Sequence, residues 1–152
     1  MSLHRTNLMM SATMVDESKQ LFRIVIGAYA APDEAASARL DLSNGGLSDS
    51  QLCMIGKWPG GAATTQRRRI AGEEVEVTRP DLFDQVWHDA ASAEQPFAPW
   101  MTRVQSRAIL DCLRGGELVL MVSAASAAEQ VRASQIQLKH RPSIVQTYSF
   151  VA

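Results

Sequence analysis

Arg67, Arg68 and Arg69 stand side by side in "PGGAATTQRRRIAGEE", and three adjacent guanidinium groups can grip a phosphate or a carboxylate through paired, charge-assisted hydrogen bonds. To act together they need a loop or a turn, because a strand sends alternate side chains to opposite faces. The segment reads as a loop, and Gly60 and Gly61 would let backbone N–H groups join an anion site. Trp58, Trp87 and Trp100 fall in the same part of the chain, with His88 beside Trp87. Gathered tryptophans line a ligand cavity or an interface, or they cover a sheet face, which uses the same side chains. The candidate binding residues are therefore Arg67, Arg68, Arg69, Trp58, Trp87, His88 and Trp100.

No catalytic constellation accompanies them. His4, His88 and His140 are scattered, and Asp89 next to His88 would point elsewhere on a helix, so no metal site is expected. Cys53 and Cys112 each sit inside an apolar pattern and read as small buried hydrophobes of a reducing compartment. Ser123 and Cys112 have no base near them in sequence, and the nucleophile-elbow pattern GxSxG is absent. Neither a catalytic residue nor a cofactor is assigned.

The 152 residues suit one domain, and a formal net charge of -1 provides no field that would draw in nucleic acid or an anionic membrane. The hydrophobic share of 46% is that of a globular chain. Residues 1–20 read as a flexible tail without an apolar run of signal-peptide length, nothing later approaches a membrane span, and the cytoplasm is the expected location. Residues 21–152 form the single expected domain.

Those candidates have to be held by a framework, and the framework is written twice. "LFRIVIGAY" is a strand; Pro32, Asp33 and Glu34 open a helix that carries Ala36 and Leu40, and Ala35, Ala38 and Leu42, at helical spacings; Asn44, Gly45 and Gly46 stop it; "QLCMIGK" is a second strand. The glycines follow a helix and precede a strand, the reverse of a phosphate-cradling loop. Near the C-terminus "RGGELVLMVS" repeats the glycine pair and strand. A helix with Ser126 and Glu129 at capping-box spacing, and Ala128, Val131 and Leu138 on one side, then leads to the strand "SIVQTYSFV".

Two β-α-β units side by side predict an α+β, ferredoxin-like four-stranded sheet, antiparallel or mixed, in the order fourth, first, third, second, with both helices on one face. Ile24 and Ile26 oppose Val25, and Leu118, Leu120 and Val122 oppose Val119 and Met121, so both faces need cover. The interval of about 58–114 must supply the second cover, unless another subunit does. In it "EEVEVTR" reads as a short extra strand, "DLFDQVWHDAAS" as a helix with Leu82, Phe83, Val86 and Trp87 clustered, and "PWMTRVQSRAILDCLRGG" as a longer helix. The apolar side of the longer helix is expected along Met101, Val104, Ala108 and Cys112, with Ile109 and Leu113 beside it.

"RIVIGAYAAPDEAASARLDLSNGGLSDSQLCMIG" and "RGGELVLMVSAASAAEQVRASQIQLKHRPS" together resemble the bacterial general stress protein 17M-like group of small domains. The resemblance covers about half the chain and rests on structural punctuation. It implies a ferredoxin-like fold and a stress-associated or regulatory setting, with no catalytic residues to carry over.

Two other uses of such a sheet are excluded. RNA recognition needs stacking aromatics on "ELVLMVS", which has none, and an acylphosphatase-like anion loop needs an arginine in "GAYAAPDE". The expected function is a non-catalytic regulatory or stress-associated binding domain, taking a protein partner or an anionic small ligand and compatible with a homodimer. The alternative is a dimeric enzyme or ligand-binding protein of small-monooxygenase or haem-binding type, with an apolar pocket between sheet and inserted helices.

Overall fold

The structure is a computed structural model that describes residues 20–57, 65–87, 98 and 100–151. Trp58, His88, His4 and the tail expected over 1–20, apart from its last residue, lie outside the described residues.

Six strands form one antiparallel sheet: β1 (Leu21–Tyr29), β2 (Leu52–Gly56), β3 (Gln66–Ile70), β4 (Glu73–Val77), β5 (Leu118–Ala124) and β6 (Ile144–Val151). Their order is β3-β4-β2-β5-β1-β6. The four strands read from the two units thus fall in the expected order, β6-β1-β5-β2, and each pair among the described strands is antiparallel. The sheet has six strands rather than four, because the chain adds the hairpin β3–β4 beyond β2.

Four helices, α1 (Pro32–Asn44), α2 (Pro80–Val86), α3 (Arg103–Arg114) and α4 (Ala127–Leu138), cover the two faces. The alternation of β1 and β5 decides what each face receives. Ile24, Ile26, Val119 and Met121 join Leu82, Phe83, Val86, Ile109, Leu110 and Leu113, all buried, under α2 and α3. Val25, Leu120 and Val122 join Ala35, Ala38, Leu42 and Ala133 under α1 and α4. Each large apolar side chain so removed from water contributes about 1.5–3 kcal/mol. The interval between the units therefore covers the second face within the same chain.

The glycine pairs do what their position implies. Gly46 has φ +105° and Gly116 φ +86°, left-handed values that glycine adopts without a Cβ penalty. The turn lets Leu47 N–H reach Leu42 O at 3.2 Å and Glu117 N–H reach Cys112 O at 2.9 Å, closing α1 and α3 as their chains enter β2 and β5.

Three helix faces depart from the expected ones. In α3 the buried stripe is Ser106, Ile109, Leu110 and Leu113, whereas Val104 is 80% exposed and Ala108 and Cys112 are half-buried. The helix starts at Arg103, behind the N-cap Thr102 whose capping box Gln105 completes, so Val104 lies in its first turn, rotated away from the sheet. In α4 the interior holds Ala133 and Gln137, while Val131 and Leu138 face solvent and Ala128 is exposed. A polar residue replaces the expected apolar one because Tyr29 supplies it with a partner. In α1, Ala35, Ala38 and Leu42 are buried as read, but Leu40 is exposed and so is Ala36.

Candidate functional site

The arginine run sits on β3, which corrects the loop expected there. Arg67, Arg68 and Arg69 pair with Glu76, Val75 and Glu74 of β4 through a tight turn at Ala71 and Gly72, whose φ values of 50° and 83° suit a primed hairpin turn. The pleat then separates the three guanidinium groups. Arg67 and Arg69 share the face of Glu74 and Glu76, with Arg67 3.9 Å from Glu74 and 3.6 Å from Glu76, and Arg69 3.6 Å from Glu74. Arg68 emerges on the face of α2 and meets Asp84 with two hydrogen bonds, 2.9 and 3.0 Å.

Three arginines thus face three carboxylates. Glu73 is engaged elsewhere: it accepts from Lys57 Nζ at 2.7 Å and Arg114 Nε at 3.1 Å, and those two cations hold its carboxyl below the usual range. An open surface hollow of about 130 Å³ is lined by Arg67, Arg68, Arg69 and Glu74. With Glu74 in its wall and each arginine matched by an acid, the hollow lacks the uncompensated charge that an anion site needs.

The described tryptophans belong to an aromatic ladder on the α2/α3 face. Trp100 stacks on Phe150 with ring centres 4.8 Å apart and meets Tyr148 edge-on at 4.3 Å. Phe150 stacks on Phe22 at 5.1 Å, while Trp87 meets Trp100 at 6.1 Å and Phe83 at 5.9 Å. The indole N–H groups are used internally: Trp87 Nε1 donates to Met121 Sδ at 3.0 Å, and Trp100 Nε1 to Val86 O at 3.3 Å. Tyr148 donates to Gln146 and, being buried, holds its proton well above the ordinary tyrosine range. The ladder fills the space between α2, the Trp100 segment and the β1–β6 end of the sheet.

Sequence reasoning missed a polar cluster in the other layer. Gln137 is completely buried; its Oε1 lies 2.7 Å from the Tyr29 hydroxyl, and its Nε2 donates to Leu120 O at 3.4 Å. Burial, with the charge of Glu34 adding to it, raises the Tyr29 phenol far above its usual value. Gly27 makes room for this amide, since a Cβ there would stand 2.0 Å from Gln137 Oε1. The available signal was a glycine inside a central apolar strand, which marks a close approach.

The cysteines are free. Cys53 is buried, and its thiol is pushed up to about 11, by burial first. Cys112 is only half-buried, against the expectation of full burial, and burial with Glu117 beside it raises it to about 11 as well. A thiol so protonated is a poor nucleophile at neutral pH. Among the described residues no three His, Cys, Asp or Glu side chains gather as a metal site, and no helix is long and apolar enough to cross a membrane. The chain matches no family model, no curated protein and no solved structure.

Proposed function

We propose that this chain is a ferredoxin-like domain, extended by the β3–β4 hairpin, that works as a non-catalytic binding module of regulatory or stress-associated type in the cytoplasm. The strand order β6-β1-β5-β2 with α1 and α4 on one face supports the ferredoxin-like reading. The two free cysteines support a reducing compartment. The stress-associated setting rests on the resemblance of the two β-α-β units.

The observation that carries the reading is where the chemistry-bearing side chains point. Arg67, Arg68 and Arg69 face Glu74, Glu76 and Asp84, the indoles of Trp87 and Trp100 are packed into the ladder, and Ile24, Ile26, Met121, Ile109 and Leu113 fill the described interval between sheet and helices. Function then resides in surfaces. Titrating the purified protein with haem and with a flavin tests this, because an occupant of the α2/α3 layer would quench Trp87 and Trp100 and shift a cofactor absorption band. The binding-module reading expects neither change. Saturable one-to-one quenching would replace it with the alternative of an apolar ligand pocket. The stress association predicts that cellular abundance rises under heat or osmotic challenge, and a constant level would remove that part.

A further inference from the structure

The two borders of the sheet are built on opposite principles. β3 carries three arginines in five residues, the kind of charge that keeps an edge strand from pairing with another chain. β6 closes the opposite border with eight residues, "IVQTYSFV", and not one is charged. Its outer side offers every second residue's N–H and C=O to a further strand. Arg23 sits one strand inward, opposite Ser149.

The helix above this border is also apolar on the wrong side. Gln130 Nε2 donates to Ile24 O at 3.3 Å and Tyr148 O at 2.8 Å, which places the start of α4 over the β1–β6 seam. Arg132 reaches Gly45 O at 3.3 Å, and Ile136 lies against the same glycine, so that flank faces α1. By helical spacing Val131 and Leu138 occupy the opposite flank, toward the border, and both are more than half exposed. Leu21 and Val151, paired across β1 and β6, are exposed at the end of the same border. Four of the six exposed large hydrophobics among the described residues therefore lie along one margin.

We infer that β6 is a self-pairing edge, and that its occupant is β6 of a second copy, antiparallel about a two-fold axis through Thr147. A neutral strand is complementary to itself, since no cross-strand pair can bring like charges together. The axis at Thr147 keeps α4 on the same face in both copies. It sets Thr147 against Thr147, Val145 against Ser149, Gln146 against Tyr148 and Ile144 against Phe150, each pair on one face of the sheet. A border about 27 Å long and about 20 Å deep through sheet and helix layers covers about 500 Å² per copy. The total of about 1,000 Å² reaches the lower limit of specific interfaces. The partner assigned is a second copy of this chain.

Thr147 is exposed, so Thr147→Lys leaves the monomer's interior untouched while placing two ammonium groups on the axis, the device β3 already uses. Sedimentation equilibrium of the full chain at about 100 μM, where an interface with a Kd of about 1 μM is largely filled, should give a dimer for wild type and a monomer for Thr147→Lys. Far-UV circular dichroism establishes that the variant is folded. As a second readout, Thr147→Cys should give a covalent dimer on mild oxidation, because directly opposed residues lie about 4.5–5.5 Å apart. Val151→Cys, opposed to Ser143 rather than to itself, should not. A monomeric wild type at this concentration overturns the inference, and so does a dimer that persists in folded Thr147→Lys.

Discussion

Replacing Gly27 by alanine adds one methyl group to the interior strand β1 and should cost far more than a methyl group usually does. The new Cβ would stand 2.0 Å from Gln137 Oε1, 2.9 Å from its Cδ and 3.0 Å from the Tyr29 hydroxyl, all well inside contact distance. Gln137 is completely buried, so its amide can move only by giving up the Tyr29 hydroxyl and Leu120 O. Overpacking contributes about 1–3 kcal/mol. Buried polar groups left without partners add about 1–3 kcal/mol. The expected loss is about 3–5 kcal/mol, a large part of the 5–15 kcal/mol typical of a domain. Urea unfolding followed by the emission of Trp87 and Trp100 measures it. Gln137→Ala in the same chain removes the obstacle, and the Tyr29 hydroxyl still has Gln137 O at 3.2 Å. The double variant should therefore be more stable than the sum of the singles by about 1–3 kcal/mol. Additive singles, or a Gly27→Ala cost below about 1 kcal/mol, would refute the reasoning.

Leu113→Ala and Ile109→Ala should each lower stability by about 2–5 kcal/mol in the same assay, whereas Val104→Ala on the exposed side should change it by less than about 0.5 kcal/mol. Substituting Arg67, Arg68 and Arg69 together by glutamine should cost about 1 kcal/mol, mostly through the Arg68–Asp84 pair, and leave retention on a heparin column unchanged. Strong wild-type retention that the variant loses would restore an anion site. Both thiols should react with a disulfide reagent at pH 8 much more slowly in native than in urea-unfolded protein, Cys53 being the slower. Because folding raises both thiols from 9.0 to about 11, their contribution to stability is full below pH 9 and falls as pH rises toward 11. A midpoint of urea unfolding that stays constant from pH 8.5 to about 11 would contradict the direction.

The framework was readable where one residue type repeats one message. Ile24 against Val25, and Leu120 against Met121, announce a sheet covered on both faces, and the glycine pairs announce where helices stop. The arginine run misled because charge reads as loop, whereas an edge strand tolerates arginine on either face when acids stand opposite, as Glu74 and Glu76 do. The faces of α3 and α4 misled for a related reason. Hydropathy ranks Val104 and Val131 above Ser106 and Gln137, but the position of the first helical turn and the hydroxyl of Tyr29 decide which of them is buried. The border position of β6 was legible as well, because the order fourth, first, third, second already puts "SIVQTYSFV" at an edge, where the structure has it.

The place of β1 in the sheet bears on how the chain finds its native state. Its two neighbours are β5 and β6, so Arg23 waits for Ala124 and Leu21 waits for Val151, contacts that close loops of roughly a hundred residues or more. The short-range pieces, the β3–β4 hairpin and the individual helices, can form and dissolve on the microsecond scale. None of them supplies the hydrogen bonds of "LFRIVIGAY". Until β5 arrives, this long and largely apolar strand has free backbone groups on both sides, and the entropy of the long loop opposes the pairing that would cover them. Refolding at high concentration should thus lose material to association through this segment. A chaperone that shields extended apolar stretches should raise the yield more than one that accelerates proline isomerisation.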